Sequence, residues 1–127
     1  MANLRREDEM ETIDKKRARH LLRTLDFDDW MMISVVFPPR SISQKRMRSL
    51  EEMELTLIPN EKMYPSIQPE KVLAWIEEKV GDKDLAAELE PIVADGSLNY
   101  LQKCVALGKA VNRRCDMLRA AAGGEDA

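Results

Sequence analysis

A chain of 127 residues with formal net charge −3, 44% hydrophobic and 34% charged residues has the length and balance of one ordinary domain with a core of its own. It holds no run of 18 apolar residues, so no membrane-spanning helix is expected; the longest apolar runs, Trp30-Met31-Met32-Ile33 and Val35-Val36-Phe37, are core-sized. The first residues are acid-rich without an apolar stretch and read as neither a secretory nor a transit signal, so the expectation is a cytoplasmic protein whose two cysteines are reduced thiols.

The net charge conceals a segregation. Residues 15–48 carry nine basic side chains against three acids, whereas residues 49–102 carry twelve acids against four lysines. A chain sorted in this way presents a basic region to something, or pairs its own halves, or both.

In chain order, residues 3–25 lack Gly and Pro and predict one long helix, with Met10, Ala18, Leu21, Leu22 and Leu25 inside one arc. The opposite side stacks Lys16, Arg19, His20 and Arg23 at i, i+3, i+4, i+7, with Lys15 beside them. Asp26-Phe27-Asp28-Asp29 breaks that helix. Residues 30–37 fit either a buried strand or a short buried helix, ended by Pro38-Pro39.

Ser41 and Gln44 have capping-box spacing, which predicts a helix over 42–54 that begins basic (Lys45, Arg46, Arg48) and ends acidic, against its own dipole. Residues 54–58 alternate polar and apolar and are the candidate partner strand for 31–37. Residues 59–68, with two prolines, read as a linker-like loop.

The second half predicts helices. Pro69 suits a first helical position, Val72, Leu73, Ile76 and Val80 share a face, and Gly81 terminates it. Asp82 can cap a helix carrying Leu85, Leu89 and Val93, which Pro91 is expected to kink or split. Asp95-Gly96 is a turn, Ser97 a candidate cap for a last helix over 98–121, and 123–127 a flexible tail beyond a single helical domain of residues 1–122.

That last helix carries the cleanest pattern: Leu101, Cys104, Gly108, Val111, Cys115, Leu118 and Ala122 follow 3-4 spacing for about three heptads. The seam fits packing on the chain's own helices 69–80 and 83–94, or an oligomer or partner-helix interface. Cys104 and Cys115 are eleven residues apart, ~16 Å along an intact helix, which excludes a disulfide or a shared metal between them.

Nothing here spells out a reaction. The chain lacks a phosphate-binding glycine loop, a nucleophile elbow and a metal-ligating histidine pair, so no catalytic residue, metal or cofactor is assigned. The expected fold is mainly α, a compact bundle of five to six helices with an optional two-stranded element pairing 31–37 with 54–58. The expected function is non-catalytic binding or regulation through protein–protein contacts, with a protein partner or the chain itself as a homo-oligomer.

The alternative is a nucleic-acid-binding regulator. The contact residues for either partner are Lys15, Lys16, Arg19, His20, Arg23, Arg40, Lys45, Arg46 and Arg48. A weaker alternative is a small-ligand protein or enzyme with a pocket near Trp30, Met31, Met32 and Trp75.

Overall fold

The computed structural model describes residues 14–123. Helix α1 spans Lys15–Leu21 and starts at Asp14, whose extended backbone and side chain, accepting from the Arg17 amide at 2.8 Å, make a helix cap. The helix expected over 3–25 is therefore bounded at Asp14, and residues 3–13 of that expectation, Met10 included, lie outside the described residues. After Leu21 the chain passes through a 3₁₀ turn, Phe27–Asp29, and enters a sheet.

The sheet corrects the expected helical bundle, in which strands were at most an optional pair of 31–37 with 54–58. The fold is mainly helical, but among the described residues it mixes five α-helices with a three-stranded antiparallel sheet in the order β2-β1-β3. Strand β1 is Met31–Phe37, β2 is Ser41–Met47 and β3 is Tyr64–Ser66.

The β-branched run in 30–37 does form a strand, but its partners are 41–47 and 64–66 rather than 54–58. The turn at Pro38-Pro39 folds β2 back along β1, with Met32 opposite Arg46, Ser34 opposite Gln44 and Val36 opposite Ile42. The backbone ladder this makes outweighs the apparent helix start at Ser41.

The helix cap lies eight residues further on. Ser49 accepts from the Glu52 amide while the Glu52 carboxylate accepts from the Arg48 amide, launching α2, Leu50–Leu57. Leu50, Met53 and Leu57 are buried at helical spacing, and Thr56 Oγ1 donates to the Glu52 carbonyl one turn back, so 54–57 is helix, Ile58 is its extended C-terminal cap, and the polar–apolar alternation is incidental. Glu51 and Glu52 now sit at a helix N-terminus, so the apparent conflict with the dipole disappears. The segment read as a linker-like loop contributes β3, with Pro65 buried.

Helix α3, Pro69–Trp75, continues into a π-helical turn, Ile76–Val80, closed by Gly81 at φ +85°, where a side chain would be strained. Helix α4 is Lys83–Ala94, capped by Asp82. Pro91 does not split it: it sits exposed in the last turn, and the helix runs three residues past it.

Helix α5, Tyr100–Gly123, begins from a reciprocal cap in which Asn99 and Gln102 exchange side-chain-to-amide hydrogen bonds at 2.9 Å, so Asn99 and not Ser97 is its cap. Gly123 belongs to this helix and the rest of the expected tail lies outside the described residues.

Helix α5 is the axis of the core. It packs against α1, α2 and α4, and its Cys104, Leu107, Val111, Cys115 and Leu118 are fully buried. The sheet closes the other side, burying Ile33, Val35 and Met47 while its opposite face stays open. None of the described helices is long and apolar enough to cross a membrane.

Candidate interaction surface

Strand β2 of the β1–β2 hairpin is the most exposed of the described regular elements. Period-two alternation sends Ile33 and Val35 of β1 inward, with Met31 and Phe37 half-buried on the same side. The other face of β1 carries Met32, Ser34 and Val36, and opposite them on β2 stand Arg46, Gln44 and Ile42. Met32 is 53% and Ile42 68% exposed. Along β2, residues 41–46 are all exposed, and only Met47 is buried. Because β2 is an outer strand, alternate residues turn their N–H and C=O away from β1 toward solvent.

The base of the hairpin is an aromatic and cationic cluster. The guanidinium groups of Arg46 and Arg48 each lie 6.0 Å from the centre of the Trp30 ring, inside cation–π range, and the Phe27 ring packs at 5.0 Å on a 55° tilt. Trp30 Nε1 donates to the Leu25 carbonyl at 2.8 Å, and the Leu25 amide donates to the Arg48 carbonyl at 2.7 Å, which ties the chain before β1 to the chain after β2. Arg48 also grips Glu52: hydrogen bonds from the guanidinium hold the Glu52 carboxyl below its usual value, and the carboxylate in turn raises the pKa of the guanidinium.

The nine candidate cations thus do not form one surface. Arg23 is used inside the fold, donating to the Val80 carbonyl at 3.1 Å and the Lys79 carbonyl at 3.0 Å. There it caps carbonyls that the end of the α3 helical run leaves without partners. Lys16 and His20 are exposed on α1, and Lys15 and Arg19 have partners of their own. Arg40 lies in the turn at the far end of the hairpin, and Lys45 and Arg46 lie on β2. The basic half meets the acidic half at Arg48–Glu52 and more loosely at Arg17–Asp84, 4.0 Å.

Most of the seam on α5 is interior. Cys104, Gly108, Val111, Cys115 and Leu118 are buried, while Leu101 is 48% exposed. The neighbours are α4, as expected, together with α1 and α2, which the sequence did not suggest; α2 takes the place expected of helix 69–80. A Cβ on Gly108 would overlap Ile58 Cγ1 and stand 3.3 Å from Leu57 Cβ, so glycine is what lets α2 cross here. Both thiols are free and buried, and burial pushes Cys115 up to about 12 and raises Cys104.

Sequence reasoning missed two polar anchors. Arg114, 6% exposed, makes paired 2.8 Å hydrogen bonds to the two oxygens of Asp82, which is 0% exposed and also accepts from the Leu85 amide. A charged residue at the 3-4 positions flanking an apolar seam (Ala110, Arg114) was the available signal. Tyr100 is the second: its hydroxyl donates to the Pro65 carbonyl and accepts from the Ile67 amide at 2.8 Å, pinning β3 to the start of α5.

An open cleft of about 390 Å³ is lined by Trp30, Met31, Met32 and Trp75 together with Asp28, Asp29, Lys71, Ala74, Glu78 and Lys79. Two polar contacts bridge its walls: Trp75 Nε1 donates to the Asp29 carbonyl at 2.8 Å and Lys79 pairs with Asp29 at 3.5 Å. Among the described residues, no three His, Cys, Asp or Glu side chains are placed to hold a metal ion. Comparison with protein-family models, with curated proteins and with solved structures returns no match.

Proposed function

We propose that the protein is a cytoplasmic, non-catalytic binding or regulatory protein that works through protein–protein contacts, with the β1–β2 hairpin as its contact element. The observation that carries this reading is strand β2: six consecutive residues, 41–46, are exposed on an outer strand, and the same face offers the apolar side chains Met32 and Ile42 beside Arg46. Exposed apolar side chains next to open backbone are a recurring feature of strand-edge recognition.

The α5 seam contributes less to a partner, because its side chains are taken up by α1, α2 and α4. The test is a photo-cross-linking residue placed at position 42, with position 88 on α4 as the control. A discrete cross-linked species from 42 and none from 88 is expected; equal or absent cross-linking removes the hairpin as the contact element.

One observation favours a second reading, nucleic-acid binding: Arg40, Lys45 and Arg46 are spaced along one exposed hairpin. Phosphate contacts would make such binding fall steeply with salt. Anisotropy of mixed-sequence RNA and DNA at low and physiological salt decides it, with loss in a Lys45→Glu, Arg46→Glu variant as the expected signature.

A further inference from the structure

We propose that β2 takes up an acidic, extended segment of a partner protein as an added antiparallel strand, extending the sheet to four strands. The inference deepens the hairpin reading above and rests on it.

Four features select this occupant. First, the described sheet ends at β2, and residues 41–46, paired with β1 on one side, are all exposed, so a strand-length edge is open. A segment laid along it finds backbone donors and acceptors at every second residue.

Second, the charge on the edge is of one sign. β2 carries Lys45 and Arg46 and no carboxylate, and Arg40 precedes it. Two copies of β2 paired edge to edge would bring four cations into one short ladder, and like charges set across strands repel. An acidic segment meets the opposite situation.

Third, the register specifies where the charges go. Lys45 and Arg46 are consecutive, so they point to opposite faces of the sheet. A complementary strand therefore needs two consecutive acids, one per face, followed three residues later by an apolar side chain opposite Ile42, which is 68% exposed.

Fourth, the aromatic ring nearest these cations is occupied. Trp30 has Phe27, Arg46 and Arg48 around it and its ring nitrogen bonded to Leu25, so its own face is taken; Phe27, 75% exposed, is a single ring beside it and not the succession of rings on which single-stranded nucleic acid stacks.

The probe is the blocked peptide Thr-Glu-Glu-Thr-Val-Val-Thr, fluorescently tagged and titrated with the full chain. Two analogues carry N-methyl groups on one or the other alternate set of amides, and a third has lysine in place of glutamate. Expected results are saturable binding of the parent and at least a tenfold loss in the Lys45→Glu, Arg46→Glu variant, with no binding of the lysine peptide. One methylated analogue should lose binding while the other stays within threefold of the parent, because only one set of amides faces β2.

The substituted side chains are exposed, and an unchanged circular dichroism spectrum and melting temperature confirm that the variant is folded. Equal binding by both methylated analogues would overturn the proposal, since contact would then be made by charge without a shared ladder. So would absence of binding up to millimolar protein. Two other outcomes assign the edge elsewhere and overturn it equally: a dimer in light scattering that the double variant breaks, or an RNA that binds more tightly than the peptide at physiological salt and is lost in that variant. If the peptide fails while position 42 still cross-links a partner, strand addition falls and the hairpin reading stands; if position 42 cross-links nothing, the hairpin reading falls and strand addition, which rests on it, falls with it.

Discussion

Helix α5 and strand β2 are the two segments in which the sequence concentrates its most distinctive patterns, and the fold turns them in opposite directions. The α5 pattern is directed inward: Cys104, Leu107, Val111, Cys115 and Leu118 are sealed against three neighbouring helices, and even the charge on this helix face, Arg114, is paired inside. The β2 pattern is directed outward, with six exposed residues, two cations and a free apolar side chain. Apolar periodicity along a helix is a demand for burial that the same chain can meet. Alternation along an outer strand leaves half of the backbone polar groups without a partner in the chain. Stability and contact are thereby assigned to different parts of the molecule.

The largest test of this contrast is Val111→Asp. Val111 is fully buried at the centre of α5, so a carboxylate there should abolish folding, read as loss of the helical circular dichroism signal and of a cooperative melt. Next is Asp82→Ala, which removes both short hydrogen bonds to the buried Arg114, leaving it Asp84 at 3.8 Å, and removes the α4 cap; it should cost about 3 kcal/mol in urea unfolding. A double variant, Asp82→Leu with Arg114→Met, should recover much of that loss, and failure to recover would mean the pair is needed for more than charge balance.

Gly108→Ala sharpens the packing argument because two effects oppose. Alanine in a helix interior is favoured over glycine by about 1 kcal/mol. Here its Cβ would overlap Ile58 Cγ1, so a net loss of about 1–3 kcal/mol is expected, relieved by adding Ile58→Ala.

Two acids of α5, the buried Cys115 and the partly covered Tyr100, give a pH test. Burial pushes the Cys115 thiol from 9.0 up to about 12 and the Tyr100 hydroxyl from 10.0 up to about 12. The unfolded chain ionises first, so their contribution is fully present below about pH 9 and is lost as pH rises toward 12. Melting temperature should fall across that window, with a shallower slope in Cys115→Ala. At pH 8 neither thiol should react with a disulfide reagent until the chain unfolds, since both are buried.

The smallest effect is expected at the exposed strand. Ile42→Thr keeps a β-branched residue on β2 and should change stability by no more than about 0.5 kcal/mol. A loss near that of a core residue would show that Ile42 is covered and would end its role as a contact residue.

How far the sequence could be read follows the same division. The helices after Pro69 were legible: Gly81 and Asp82 terminate and cap where expected, and the buried faces of α3 and α4 match their 3.6-residue periods. Residues 41–58 were not. Ser41-x-x-Gln44 and Ser49-x-x-Glu52 have the same capping spacing, and only the second is preceded by a chain free to end its pairing with β1. The site was half legible. The cations of 40–48 were named from composition alone, but Arg23 was consumed by the carbonyls of Lys79 and Val80, which lie 56 and 57 residues away in the chain.

The sequence by itself determined what local chemistry can settle. Helix period, proline and glycine punctuation and the spacing of two cysteines act over a few residues and specify elements wherever the chain's own hydrogen bonds are made within the element. Tertiary structure alone decided the rest. A strand draws its hydrogen bonds from a neighbour, so whether 41–47 was helix or strand depended on β1 being available beside it. Which charges remained outside depended on which distant backbone and side-chain oxygens the fold brought to meet them, as Asp82 met Arg114 and left Lys45 and Arg46 to the solvent.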